Sequence, residues 1–74
     1  MEVKMIEVKS SNIISVGWAE DTLFVKYNSG VYVYSDVKRE VFENLLRAES
    51  KGRFILESVK NKYQYKKLEE AKIK

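Results

Sequence analysis

The chain has no cysteine, no histidine and no proline, and these absences limit what it can do. Without cysteine it can form no disulfide, and without both cysteine and histidine it lacks the commonest zinc ligands. Histidine is also the side chain most often used in general acid–base catalysis. The composition therefore favours a protein that is not an enzyme, with no catalytic residues, no metal site and no cofactor.

Long hydrophobic runs are also absent. The first residues, MEVK, lead into no apolar segment long enough for a signal peptide or a membrane span. We therefore expect a cytoplasmic protein that does not associate with membranes. Its 74 residues suffice for one small domain, which would bury about 60% of its unfolded surface. We expect this single domain to span residues 1–74, with a core at about residues 8–68 and a frayed tail at residues 69–74.

The net charge is only +3, but it is distributed unevenly along the chain. Residues 51–67 contain six basic side chains and one acidic side chain, so this segment carries +5 and the rest of the chain carries −2. A basic C-terminal third fits a polyanionic partner such as RNA or DNA. A lysine-rich helix face in contact with water would give the same pattern, so both interpretations stay open.

The first half of the chain has the period-two pattern that is typical of β-strands. Apolar, β-branched and aromatic residues indicate a weak lead-in strand near residues 5–8 and strands at residues 13–18, 23–27 and 31–34. Glu20-Asp21 predicts a polar turn. Asn28-Ser29-Gly30 predicts a second turn that closes a hairpin, because asparagine and glycine tolerate positive φ.

Apolar residues then recur at three- and four-residue spacing, which indicates helices. Ser35 or Asp36 would cap the first helix, and Gly52 would lie just past its end. Ser50 would cap a second helix that carries Phe54. The order of elements predicts an α+β fold: a three-stranded antiparallel sheet, with a possible extra N-terminal strand, followed by two helices packed on one face. The other face stays open to solvent or to a partner.

Tyr32 and Tyr34 lie at strand spacing directly after the second turn, and two hairpin registers are open to them. A two-residue loop, Asn28-Ser29, places both rings on the aliphatic, core-facing side of the sheet. A three-residue loop with a bulge at Gly30 places them on the opposite side, together with Lys26. In the bulged register the two rings would form an aromatic surface on which bases can stack.

A series of short segments resembles the KTSC domain family, which is named after the C-terminus of some lysyl-tRNA synthetases. In chain order the segments are VKSSNI (8–13), VGW (16–18), LFVKY (23–27), Gly30, YVY (32–34), LLRAESKGRF (45–54), Val59 and YQY (63–65). The resemblance covers residues 8–68. Members often have proline where Lys38 stands, usually tyrosine where Trp18 stands, and asparagine near Leu56.

These differences keep the aromatic and apolar pattern, so the resemblance implies the family's fold. The family has no settled biochemical role. Its attachment to a tRNA synthetase implies RNA binding, and stand-alone members occur in prokaryotes and phages.

The basic C-terminal third is interleaved with tyrosines, a combination that suits nucleic acid because basic side chains contact phosphates and tyrosine rings stack on bases. We therefore predict a small module that binds nucleic acid, with RNA favoured. The predicted binding residues are Arg53, Lys60, Lys62, Tyr63, Tyr65, Lys66 and Lys67, with Tyr32 and Tyr34 as stacking residues in the bulged register. Ser10-Ser11-Asn12 is interpreted as a hydrogen-bonded turn rather than as part of a site.

A second function stays open: a protein–protein interaction module, with a host protein as its partner and the chain as a phage-encoded modulator of that protein. The contact would be an edge strand, such as residues 13–18, or an exposed aromatic sheet face. For either function we expect a monomer or a weak homo-oligomer.

Overall fold

The computed structural model describes residues 3–68, which form five strands and two helices. The strands are β1 (Ile6–Glu7), β2 (Ile13–Ala19), β3 (Thr22–Tyr27), β4 (Gly30–Tyr34) and β5 (Tyr65–Leu68), and the helices are α1 (Arg39–Arg47) and α2 (Lys51–Ser58). Neighbouring strands are antiparallel and follow chain order, with both helices between β4 and β5. This confirms the predicted α+β fold and its extra N-terminal strand. The predicted tail at residues 69–74 lies outside the described residues.

The two tight turns follow from their residues. Glu20 and Asp21 have φ of 50° and 58°, as in the type I′ turns whose twist matches that of the strands they join. At the second turn Tyr27 pairs with Gly30, so the loop between them has two residues. Gly30 has φ of 143°, which residues with a side chain rarely adopt, so this position favours glycine.

The register of the second hairpin decides which side of the sheet carries the central tyrosines. Val25 pairs with Tyr32, and Leu23 pairs with Tyr34. Directly paired residues share a face, so both tyrosines are on the aliphatic side. The core-facing register is therefore confirmed, and the bulged register is wrong.

The helices pack against this aliphatic side of the sheet. The buried apolar residues are Ile13, Val16, Leu23, Val25, Tyr34, Val37, Leu45, Ile55 and Val59. Trp18 packs against them, and its Nε1 donates a hydrogen bond to the Val37 carbonyl oxygen at 2.7 Å. The Val37 N–H donates to the Asp21 carbonyl oxygen at 2.8 Å. These two bonds fix the segment that leads from β4 into α1.

The predicted start of α1 is wrong. The N-cap is Lys38, whose side chain makes no capping hydrogen bond, rather than Ser35 or Asp36. Asp36 has φ of 58°, which belongs to the turn before the helix, so regular helical geometry begins only after Lys38.

The predicted cap of α2 is confirmed. The Ser50 Oγ accepts a hydrogen bond from the Arg53 N–H at 3.3 Å. Gly52 lies in the first turn of α2 and not just past the end of α1, which ends at Arg47.

β5 is the element that the sequence pattern does not predict. Its four residues, YKKL, are all exposed, and lysine is unfavourable in strands. The strand forms along the edge of β4, where Tyr34 pairs with Tyr65 and Val31 with Leu68. β1 and β5 are therefore the outer strands. β2, which contains the proposed edge strand of residues 13–18, lies between β1 and β3, so that assignment is wrong.

Candidate nucleic-acid interface

Two rows of side chains cross the helix side of the sheet and end at its β5 edge. In order across the sheet, one row is Trp18, Leu23, Tyr34 and Tyr65, and the other is Val16, Val25, Tyr32 and Lys67. Leu23 and Val25 are fully buried, whereas Tyr65 is 53% exposed and Lys67 is also exposed. The apolar core therefore opens to solvent at β5.

Four tyrosines meet at this edge. The ring centroids of Tyr32 and Tyr65 are 5.7 Å apart, and so are those of Tyr34 and Tyr65. Tyr27 meets the Tyr32 ring edge-on at 5.1 Å. These separations are typical of aromatic pairs that stabilise each other. The Lys67 ammonium lies 5.8 Å from the centre of the Tyr32 ring, which is within cation–π range.

The four tyrosines, together with Ser29 and Lys60, line a partly open cleft of about 250 Å³, here called the tyrosine cleft. Ser29 comes from the hairpin turn and Lys60 from the turn after α2, so three separate parts of the chain build the cleft. Pockets for drug-sized ligands have volumes of ~300–1,000 Å³. The tyrosine cleft is smaller, and its size suits one planar ring system.

The pKa values of two tyrosines in the cleft, Tyr27 and Tyr34, are raised, so their hydroxyls are uncharged at neutral pH. Burial raises the pKa of Tyr34 well above its ordinary value of 10.0, and a hydrogen bond with Tyr27 raises this pKa further. Burial also raises the pKa of Tyr27, and the hydrogen bond with Tyr34 opposes that shift. Positive charge at the cleft comes from Lys60 and Lys67.

A larger cavity of about 530 Å³, here called the second cavity, adjoins the tyrosine cleft, and Tyr27 and Lys60 line both. The rest of its lining comes from the segment before β2 and from α2 with its cap: Ser10, Ser11, Asn12, Ser50, Gly52, Arg53, Ile55 and Leu56. The Ser10 Oγ accepts hydrogen bonds from the N–H groups of Asn12 and Ile13, each at 3.4 Å. The predicted turn at residues 10–12 is thus confirmed, and the same turn lines a cavity.

The structure brings most of the predicted binding residues to these two cavities. Lys60 lines both cavities, and Arg53 lines the second. Tyr32, Tyr34 and Tyr65 line the tyrosine cleft, and Lys67 lies over Tyr32. Tyr32 and Tyr34 reach the cleft in the core-facing register, so a bulged hairpin is not needed for them to meet a ligand.

Three predicted residues lie elsewhere. Lys66 pairs with Val33 and so belongs to the opposite, outer face of the sheet. Tyr63 packs against the core cluster, so its ring offers less free surface for stacking. Lys62 is exposed in the turn after α2 and is not part of the lining described for either cavity.

Tyr27 and Ser29 are the cleft residues that the sequence prediction misses. A signal for Tyr27 was present, because it lies at strand spacing from Leu23 and Val25 and so shares their face. The two-residue loop then brings Ser29 beside it. Both positions follow once the register of the hairpin is known.

Part of the basic C-terminal third is used within the fold. The Lys51 ammonium donates to the carbonyl oxygens of Leu46 and Ala48 at 3.1 and 2.7 Å, which satisfies acceptors at the end of α1. The Arg53 Nε lies 3.0 Å from the Glu57 carboxylate, one turn along α2. The Lys51 charge is therefore committed to a contact within the fold, whereas Arg53 shares its charge with an exposed carboxylate.

Within residues 3–68, no group of three acidic side chains lies close enough to hold a metal ion. Neither of the helices in this part of the chain is long and apolar enough to cross a membrane.

Comparison with known proteins assigns the chain to a family. Residues 9–63 match the model of the KTSC domain. The crystal structure of a KTSC domain protein from Yersinia pestis superimposes with a TM-score of 0.86 at 31% identity, covering 92% of this chain and 100% of that chain. A protein from Tsukamurella paurometabola is 41% identical over an alignment of 63 residues, and the match covers 81% of this chain and 94% of that protein. The chain belongs to the KTSC family, which confirms the resemblance seen in the sequence.

The family match ends before β5 begins. Tyr27, Tyr32, Tyr34 and Lys60 lie within the matched residues. Tyr65, on the β5 side of the cleft, lies outside them.

Proposed function

We propose that this protein is a small, non-enzymatic module that binds RNA and holds one unpaired base in the tyrosine cleft. The observation that carries the proposal is the β5 edge, where four tyrosine rings and Lys60 line a cleft of about 250 Å³ and Lys67 lies over Tyr32. Stacking of a base on an aromatic ring contributes ~1–3 kcal/mol. Such stacking needs a ring with a free face, and Tyr65 is 53% exposed.

The size of the cleft favours single-stranded RNA over a duplex. Bases in a duplex are paired and stacked on each other, whereas bases of single strands, loops and ends can turn outward and enter a pocket. The Ser29 hydroxyl lines the cleft and can form a hydrogen bond with a ribose 2′-hydroxyl. DNA lacks this hydroxyl, so the contact favours RNA over DNA. The proposed location is the cytoplasm, where such RNA is found.

Fluorescence anisotropy with labelled oligouridylate, duplex RNA and a tRNA-like hairpin tests the proposal, at low and at physiological salt. We expect the single strand to bind most tightly and its affinity to fall as salt rises, because bound lysines displace counterions from phosphates. No detectable binding to any of the three RNAs at low salt would overturn the proposal.

Two adjacent lysines of β5 provide a matched pair of variants. Lys67 lies over Tyr32 on the cleft side, whereas Lys66 pairs with Val33 on the outer face. Lys67→Gln should weaken oligouridylate binding about fivefold, which corresponds to ~1 kcal/mol for the loss of one exposed lysine–phosphate contact. Lys66→Gln, which removes the same charge from the same strand, should bind as the unmodified protein does.

An equal loss of affinity in the two variants would show that RNA is attracted by overall charge and not by the cleft. Thermal unfolding followed by circular dichroism checks that both variants are folded.

Protein binding is a second candidate function, and the outer face of the sheet favours it. Apolar side chains there are flanked by lysines, a surface that fits a partner with an apolar centre and acidic residues around it. The residues are Phe24, Val31, Val33 and Leu68, with Lys26 and Lys66 beside them. A partner that stays bound to the immobilised protein after nuclease treatment would favour this candidate.

A further inference from the structure

We infer that the second cavity binds a backbone phosphate of the same RNA strand, so that the two cavities hold a base and a neighbouring phosphate of one single-stranded segment. This inference rests on the proposed function and specifies which part of the strand each cavity takes. The tyrosine cleft takes a base, and the strand then passes Tyr27 and Lys60 into the second cavity.

The two cavities are neighbours. Tyr27 and Lys60 line both of them. A third depression, of about 320 Å³ and lined by Asn12, Tyr27, Asn28 and Ser29, also meets them at Tyr27. A strand whose base occupies the tyrosine cleft therefore has a second cavity close by, and Lys60 lies where it can contact the strand in either cavity.

The chemistry of the second cavity suits a phosphate group. The Ser10 Oγ accepts from backbone N–H groups, and the Ser50 Oγ accepts from the Arg53 N–H. A hydroxyl whose oxygen accepts in this way still has its own hydrogen to donate. With Arg53 and Lys60, the cavity presents neutral and charged donors to a ligand rich in acceptors. Among the residues described as lining the two cavities, none is acidic.

Arg53 can reach a phosphate at small cost. Its Nε is 3.0 Å from a carboxylate oxygen of Glu57, but the two side chains are 75% and 61% exposed. Exposed ion pairs of this kind contribute ~0–1 kcal/mol. The guanidinium also has further N–H donors on its two terminal nitrogens, so it can bind a phosphate while the contact to Glu57 persists.

The two cavities thus differ in the part of a nucleotide that they recognise. The tyrosine cleft offers flat rings, and the second cavity offers hydrogen-bond donors and positive charge. A base and its neighbouring phosphate are successive parts of one strand, so a single nucleoside would occupy only the tyrosine cleft. Affinity should therefore be higher for an oligouridylate than for uridine, and this difference should be smaller in the Arg53→Gln variant.

The test measures the affinity of uridine and of oligouridylates from one to about six nucleotides, by competition against a labelled strand. Arg53→Gln should bind the longer oligouridylates about tenfold more weakly and bind uridine unchanged. Arg39→Gln is the matched control. Arg39 also forms an exposed pair with the glutamate one turn on, Glu43 at 3.4 Å, but it is on α1 and is not among the residues described as lining either cavity.

The outcomes separate this inference from the function on which it rests. If Arg53→Gln binds the longer oligouridylates with full affinity while Lys67→Gln binds them weakly, the phosphate site is wrong and the tyrosine cleft stands. An equal loss with Arg39→Gln would also overturn the phosphate site, because it would show general charge attraction. If the unmodified protein binds no RNA, both proposals are wrong.

Discussion

At the scale of single residues, two glycines show how differently a missing Cβ can matter. A Cβ on Gly17, in β2, would lie 2.6 Å from the Met5 Sδ and 2.9 Å from the Lys4 carbonyl oxygen. The methionine can move, but the carbonyl belongs to the backbone that leads into β1. A Cβ on Gly52, in α2, would meet nothing within 4 Å.

Substitution of these glycines by alanine should therefore change stability in opposite directions. Gly17→Ala should lower the free energy of unfolding by about 1–3 kcal/mol, because the chain before β1 must move away. Gly52→Ala should raise it by about 0.5–1 kcal/mol, because alanine loses less conformational entropy than glycine in a helix. Urea denaturation measures both. A Gly17→Ala protein as stable as the parent would show that residues 3–5 do not pack against β2 in solution.

At the scale of elements, the two helices begin differently. The Ser50 side chain caps α2 by accepting the Arg53 N–H, whereas Lys38 precedes α1 without a side-chain cap. Lys38 has φ of −68° and ψ of 150°, the extended geometry that a capping residue needs. The backbone at Lys38 thus has the geometry of a capping residue, but the lysine side chain has no acceptor for an N–H group of the helix.

Removing one cap and adding another should have opposite effects on stability. Ser50→Ala should cost about 1 kcal/mol, and Lys38→Ser should add about 1 kcal/mol, because a serine oxygen can accept an N–H from the first turn of the helix. Thermal unfolding by circular dichroism gives both values. A Lys38→Ser protein no more stable than the parent would show that the first N–H groups of α1 already have partners.

The elements also show how far the sequence predicts the structure. Strands β2 to β4 and both helices follow from local patterns, because each alternates or repeats its own apolar residues. The ends of α1 do not follow, because Lys38 precedes it without a side-chain cap and Gly52 belongs to α2. β5 has no such pattern. Its YKKL residues gain their strand conformation from pairing with β4, a contact between distant parts of the chain. A local pattern cannot report such a contact.

At the scale of the whole molecule, the candidate site depends on that distant contact. Composition draws attention to tyrosines and lysines near the C-terminus, but it does not show which of them lie on the same face of the sheet. Pairing with β4 puts Tyr65 and Lys67 on the helix side and Lys66 on the outer face. It also brings Tyr65 to Tyr32 and Tyr34, which are about thirty residues away in the sequence. The tyrosine cleft therefore forms only when β5 pairs with β4, and the sequence pattern alone does not predict it.

The central claim, that the tyrosine cleft binds RNA, is tested most directly by NMR of the aromatic ring protons during titration with an oligouridylate. Ring signals report the two sides of the sheet separately, because Tyr32 and Tyr65 are on the cleft side and Phe24 is on the outer face. We predict that the Tyr32 and Tyr65 ring signals shift in a saturable manner while the Phe24 ring signals stay unchanged. Shifts confined to Phe24, or no shift in any ring, would contradict the claim.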